Sequence, residues 1–266
     1  MPAATTARKK LLAGASASML GLPRREQSAG MRVLAAIKKP ARNVYQRSFI
    51  KFWDDLVWTK DESRAGEVRK APAWPMFRDM EEDLLTEKLL LFDKSRRVMA
   101  SWFVCAFDIW LMAGGQDPRW PSLMRAVRNR QCVLASRKEK GFQGSAWFIE
   151  SRVQFIAEEL ERRNIREAWP EWPTWKWTYC AGENSLGSRI DGVPQGADQC
   201  RGPGATFLHF EEVAAWEQAQ ASVESAKMTL LSDEGYGGHL CCLTTAKVGT
   251  YAADIVTDQI GTRGWD

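Results

Sequence analysis

Residues 205–212 read ATFLHFEE. A mainly apolar run without polar alternation suits a strand buried on both faces of a parallel sheet. It stops at Glu211 and Glu212, two adjacent carboxylates. In an open α/β sheet, ligands bind beyond the carboxyl ends of the strands, where such acids would stand. One acid can support Mg²⁺, directly or through water, and the second can orient an attacking water. A charged helix N-terminus, favoured by the helix dipole, explains the two acids equally well in isolation. The rest of the chain has to decide.

Similar runs occur at 89–92 (LLLF), 132–136 (CVLAS) and 239–245 (HLCCLTT). Between them lie stretches with helical periodicity at 101–113, 145–162 and 212–231. Strands alternating with helices imply an open α/β sheet. Upstream, residues 45–58 place Phe49, Phe52, Trp53, Leu56 and Val57 at helical spacing. A polar connector, 60–75, leads to a second amphipathic helix over 76–88. In residues 169–179 (WPEWPTWKWTY), Trp175, Trp177 and Tyr179 alternate and would share one strand face. An edge hairpin or a subunit contact explains them better than base stacking.

The residues after the first run are DKSRRVMASW, 93–102. An apolar strand, a basic loop and a hydrophobic helix form the layout of a phosphate loop. A nucleoside triphosphate needs helix N-terminal amides, a cation near the β/γ phosphates and a hydroxyl on Mg²⁺. Ser101 is placed for the hydroxyl. The usual G-x-x-x-x-G-K-[ST] pattern is broken, with no glycine and Ala100 in the lysine position. Lys94, reaching across the loop, is the candidate cation, with Arg96 or Arg97 adding charge. At the end of the fourth run, Thr244 and Thr245 stand where hydroxyls can sense a γ-phosphate, although β-branched residues also simply suit a strand end.

The 266 residues allow a large core, and 45% hydrophobic with 26% charged residues excludes global disorder. The net charge of +4 is unevenly spread: residues 1–51 hold eleven Lys/Arg against Glu26 alone, leaving 26 bases and 32 acids for the remainder. A basic arm ahead of a mildly acidic body suits contact with a polyanion, or is a solvated tail. The six cysteines show no C-x-x-C spacing, which argues against a structural zinc site and fits a reducing compartment. Residues 11–22 are too diluted with Ala, Ser and Gly for a signal peptide, and 102–113 are too few to span a bilayer.

In the order KSRRVMASW, VLAS, QGADQCRGPGATFLHFEEVAAW and LCCLTTA, residues 45–260 resemble the ATPase domain of the terminase large subunit. That family contains the DNA-packaging motors of tailed double-stranded DNA phages. The resemblance implies an α/β P-loop NTPase fold of the ASCE type, an open, mainly parallel sheet with flanking helices. It would occupy residues 45–266, behind a loosely structured basic extension, 1–44. Lys94, Ser95, Arg96, Arg97, Val98, Met99, Ala100, Ser101 and Trp102 then match a Walker A loop whose lysine is displaced to its start. Glu211 and Glu212 match Walker B, with Glu211 and Ser101 towards Mg²⁺ and Glu212 catalytic. Leu243-Thr244-Thr245-Ala246 matches the motif coupling hydrolysis to movement, and Thr244 and Thr245 face the nucleotide. Arg201 and Arg97 are the candidate catalytic arginines.

The implied cofactors are ATP and Mg²⁺. The implied partners are double-stranded DNA contacted through its phosphates, a portal protein, a small terminase subunit and further copies of the chain in a ring. No membrane is expected. The implied location is the host cytoplasm, transiently at the procapsid portal. The family's C-terminal nuclease has no counterpart in these residues, so nuclease activity is not expected from this chain. The alternative is a degenerate P-loop-fold module that binds DNA or a partner without hydrolysing ATP. Another P-loop translocase, such as a helicase, is a third reading.

Overall fold

Three long, apolar runs become the middle of the fold because each strand can bury both faces. In the computed structural model, residues 43–61, 64, 66–94, 98–199, 204–232, 235–245 and 249–253 are described. The basic extension up to residue 42 lies outside them. The strands are β1 (Trp58–Asp61), β2 (Glu67–Lys70), β3 (Leu89–Asp93), β4 (Gln131–Ser136), β5 (Trp175–Thr178) and β6 (Ala181–Asn184). They continue with β7 (Arg189–Pro194), β8 (Phe207–Glu211), β9 (Leu231–Ser232), β10 (Gly235–Tyr236) and β11 (His239–Thr244).

Seven of them form one sheet in the order β3-β11-β8-β4-β7-β6-β5. Neighbours from β3 to β7 pair in parallel, whereas β6 and β5 add an antiparallel edge. This is the open, mainly parallel sheet the alternation implies. The aromatic stretch supplies β5 as an edge strand, with Trp175 and Trp177 stacked at 5.2 Å.

The two faces of the sheet separate by residue parity. Cys132, Leu134, Phe207, Cys241 and Leu243 enter one core, while Val133, Ala135, Leu208, Phe210, Leu240 and Cys242 enter the other. On the first face lies α3 (Ala100–Met112), following α1 (Phe49–Leu56) and α2 (Met76–Thr86). All thirteen residues of α3 are buried. A helix that is apolar all round must be covered all round. Phe107 meets Phe207 of the sheet at 5.2 Å, and Phe103 meets Phe49, Trp53 and Phe77 of the outer helices at 4.6–5.0 Å. Each such buried aromatic contributes about 1.5–3 kcal/mol.

Arg130 closes the far end of α3. Its guanidinium donates to the Leu111 and Gly115 carbonyls, a cation at a helix C-terminus. The second face is covered by α5 (Ala219–Leu230), with α4 (Phe155–Arg162) lying between in sequence.

Three sequence expectations are modified. The helix expected over 45–58 is broken at Ser48, which is extended (φ −140°, ψ 112°) and caps α1 through its hydroxyl, and Trp58 already belongs to β1. The polar connector is a hairpin, with Trp58 opposite Lys70 and Asp61 opposite Glu67. The helix expected from 212 starts only at Ala219, because Glu212 is left-handed (φ 56°, ψ 46°) and Trp216 is extended. Residues 145–162 are helical throughout, but Ile149–Gln154 is wound as a π-helix. Among the described residues, no helix is long and apolar enough to cross a membrane.

At the amino end of β11, His239 stacks on Trp120 with ring centroids 3.5 Å apart. Its Nδ1–H donates to the Leu84 carbonyl, since a carbonyl only accepts, and Nε2 accepts from Lys88 Nζ. Burial, then the Lys88 charge, lowers its pKa from 6.5 to about 3. The unfolded chain therefore takes up this proton near pH 6.5 and the folded chain only near pH 3, so stability falls as pH drops through that window. The expected result is that His239→Gln melts below wild type at pH 7, with the gap narrowing by pH 4. Parallel thermal melts check it, and a gap independent of pH would contradict it.

Candidate active site

The carboxyl ends of β3, β8 and β11 lie side by side, since Asp93 is in register with Thr244 and Leu243 with Glu211. This register brings the loop after β3, the two acids and the threonines together. Lys94 Nζ donates to Glu212 Oε1 at 2.8 Å, and Ser101 Oγ donates to Glu211 Oε2 at 2.9 Å. Two residues of the phosphate-loop segment thus meet the two carboxylates, one each, across more than a hundred residues of chain. Thr244 joins the parts. Its carbonyl accepts from the Lys94 amide at 2.9 Å, and its Oγ1 accepts from the Ala214 amide at 3.0 Å.

The backbone compensates for the missing glycines. Met99, which occupies the second glycine position of the G-x-x-x-x-G-K-[ST] pattern, has φ 57° and ψ 15° and caps α3. A glycine would take this left-handed conformation freely, whereas a side chain costs on the order of 1 kcal/mol or more. Lys94 stands at the first glycine position. Ala100 and Ser101 then open α3, whose first-turn amides form the usual anion-binding end of a helix. Glu212 is left-handed as well, which turns its side chain off the strand. Its carboxylate is 32% exposed, while that of Glu211 is fully buried.

Burial alone would push Glu211 up, but His209 first, then Arg152 and Lys94, outweigh it and hold the carboxyl below its usual range. Trp216 Nε1 donates to the Glu211 carbonyl at 2.9 Å and fixes the backbone there. Arg152 stands in the π-helical segment with its guanidinium over the rings of Trp102, Trp147 and Phe148 at 5.2–5.3 Å.

The other expected site residues are placed as follows. The Trp102 side chain is buried in the core against Phe155. Val98 is partly buried and packs on the core edge, and Thr245 is partly exposed just beyond β11. Ser95, Arg96, Arg97, Arg201 and Ala246 lie outside the described residues.

Two residues in direct line with the acids carry no motif. His209 sits on the same face of β8 as Glu211, with Nε2 3.2 Å from Glu211 Oε1 and Nδ1 2.7 Å from Asp108 Oδ2. Burial opposes a charged imidazole here, but Asp108 and Glu211 outweigh it and raise the His209 pKa to about 9. Burial raises the Asp108 carboxyl despite His209. Both side chains are fully buried inside apolar runs, where sequence reads them as exceptions to the core. Cys105, Asp108 and His209 also bring three possible metal-ligand atoms within 4.8 Å, a convergence that cysteine spacing does not reveal.

The oxygens of Ser101 and Glu211 are hard donors of the kind Mg²⁺ takes, at the first turn of a helix whose amides suit phosphate. The donor set therefore fits a Mg²⁺-bound nucleotide. No protein-family model matches the chain, and no curated protein matches its sequence. Among solved structures, the HK97 bacteriophage large terminase aligns at a TM-score of 0.53 and 10% identity, covering 83% of this chain and 42% of that one. The large terminase ATPase domain of Thermus phage P74-26 aligns at a TM-score of 0.46 and 12% identity, covering 70% of this chain and 69% of that one. At these identities the likeness is one of fold: the chain has the mixed α/β, P-loop architecture, a seven-stranded mostly parallel sheet flanked by helices, found in the HK97 large terminase.

Proposed function

We propose that the chain is an ATP-hydrolysing motor domain of the terminase large-subunit family, driving duplex DNA into a viral procapsid. The observation that carries this reading is the double pairing across the sheet ends, Lys94 with Glu212 and Ser101 with Glu211. In this reading the triphosphate lies between the Lys94–Ser101 loop and the two acids. Ser101 and Glu211 would hold Mg²⁺, which would supply neutralisation of the phosphate charge. Lys94 releases Glu212 to pair with the γ-phosphate. Glu212, freed and partly exposed to solvent, orients the attacking water and draws its proton. Thr244, bonded to both the Lys94 amide and the turn after Glu212, is the natural link between phosphate occupancy and movement.

DNA contacts would be to phosphates, non-specific and salt-sensitive, with the basic arm contributing. Assembly as a ring on a portal, with a small terminase subunit, in the host cytoplasm, belongs to the same reading.

A second reading is a module that keeps the fold without hydrolysis. It is favoured by Ala100 in the lysine position and by Glu211 where an aspartate is usual. Steady-state ATPase assays of the full chain, at high protein concentration with duplex DNA, decide between them. Mg²⁺-dependent turnover is expected. No turnover together with no ATP binding by calorimetry would favour the module.

A further inference from the structure

The acids and their supports form a chain of contacts that runs past the nucleotide residues into the core. Cys132 Sγ donates to Asp108 Oδ1 at 3.3 Å, Asp108 Oδ2 meets His209 Nδ1 at 2.7 Å, and His209 Nε2 meets Glu211 Oε1 at 3.2 Å. Ser101 Oγ completes it at Glu211 Oε2. The spacing is built into the two elements. Ser101 and Asp108 are seven residues apart on α3, hence on one helix face, and His209 and Glu211 are two apart on β8, hence on one strand face. The helix and strand are therefore clamped to each other at two points, Ser101 to Glu211 and Asp108 to His209, and the His209–Glu211 contact joins the two.

We propose, resting on the nucleotide-site reading above, that Asp108 and His209 are positioning residues for Glu211. They hold one carboxylate oxygen so that the other stays at Ser101 for Mg²⁺. A glutamate has one more rotatable bond than an aspartate and so more freedom to lose. His209 occupies Oε1 and removes that freedom, as outer-shell partners of metal-binding carboxylates do. Asp108 fixes the ring in turn through Nδ1. A core polar cluster with no bearing on the metal would also satisfy these groups, so the test must read the metal.

Asparagine places its amide nitrogen near the position of Nδ1, whereas glutamine places its nitrogen near Nε2. His209→Asn should keep the Asp108 contact and lose Glu211, and His209→Gln should keep Glu211. The full chain is titrated with a fluorescent ADP in EDTA and in Mg²⁺. The Mg²⁺-dependent gain in affinity is expected to fall about 10–100-fold in His209→Asn. It should fall much less in His209→Gln, with affinity in EDTA unchanged in both. Asp108→Asn, which preserves shape, should reduce the gain in the same direction and serves if His209→Asn does not fold. An unchanged gain in His209→Asn or Asp108→Asn, with wild type binding normally, overturns the positioning role alone. Wild type that binds no nucleotide in either buffer overturns the site reading and the relay with it. One equivalent of zinc in the purified protein also overturns the relay, because His209 Nδ1 would then be a metal ligand.

Discussion

Glu212→Gln is expected to lower ATP turnover about 10²–10⁴-fold while leaving nucleotide affinity close to wild type. The substitution keeps the shape of the side chain and its capacity to accept a hydrogen bond from Lys94. It removes only the ability to take a proton from water. Glu212 is the right acid to test because its environment differs from that of Glu211. Its carboxylate is partly exposed and bonded to a lysine that a phosphate can attract away, whereas Glu211 is sealed between Ser101 and His209. The fold should not suffer, since a partly exposed ion pair is worth about 0–1 kcal/mol. Steady-state turnover and calorimetric nucleotide binding, measured on the same preparation, give the two numbers required. Turnover that survives unchanged would remove Glu212 from the chemistry.

Much of this architecture is legible in sequence because its central strands are buried on both faces. β3, β4, β8 and β11 appear as continuous apolar runs whose alternation with helices implies an open α/β sheet, while their spatial order, β3-β11-β8-β4, emerges only in the structure. β6 and β7 escape, since AGEN and RIDGVP lie towards the antiparallel edge and are stabilised by pairing rather than by apolar content. The β1–β2 hairpin escapes for a similar reason. Its strands are polar, and Asp61 is ion-paired with Arg69 rather than packed in a core.

At the site, Glu211 and Glu212 announce themselves by interrupting a hydrophobic strand, and Ser101 and Lys94 by bracketing the loop. Asp108 and His209 do not, because a single polar residue in an apolar run can equally be a satisfied core group. The available signal is joint. A spacing of seven on α3 and of two on β8 puts four polar residues on facing surfaces, and only the register of the sheet shows that the surfaces meet.

Lys94→Ala should differ from Glu212→Gln in kind. Removing the cation takes away charge that would meet the γ-phosphate both on binding and during transfer, so affinity and turnover should fall together, turnover by about 10²–10³-fold. The effect on the site is also local and asymmetric. Lys94 Nζ donates a hydrogen bond to Glu212 and is one of the charges that hold Glu211 below its usual pKa, whereas its backbone amide, bonded to Thr244, is untouched by the substitution. The Thr244 link should therefore persist, and a melt near wild type would show that the loss is chemical rather than structural. Lys94→Arg provides the control. It keeps the charge but exchanges a compact ammonium for a planar fork in a side-chain position only 12% exposed, so it should recover affinity better than turnover. Normal hydrolysis by Lys94→Ala would move the phosphate cation elsewhere in the loop, to Arg96 or Arg97, and leave the Lys94–Glu212 pair as a structural contact.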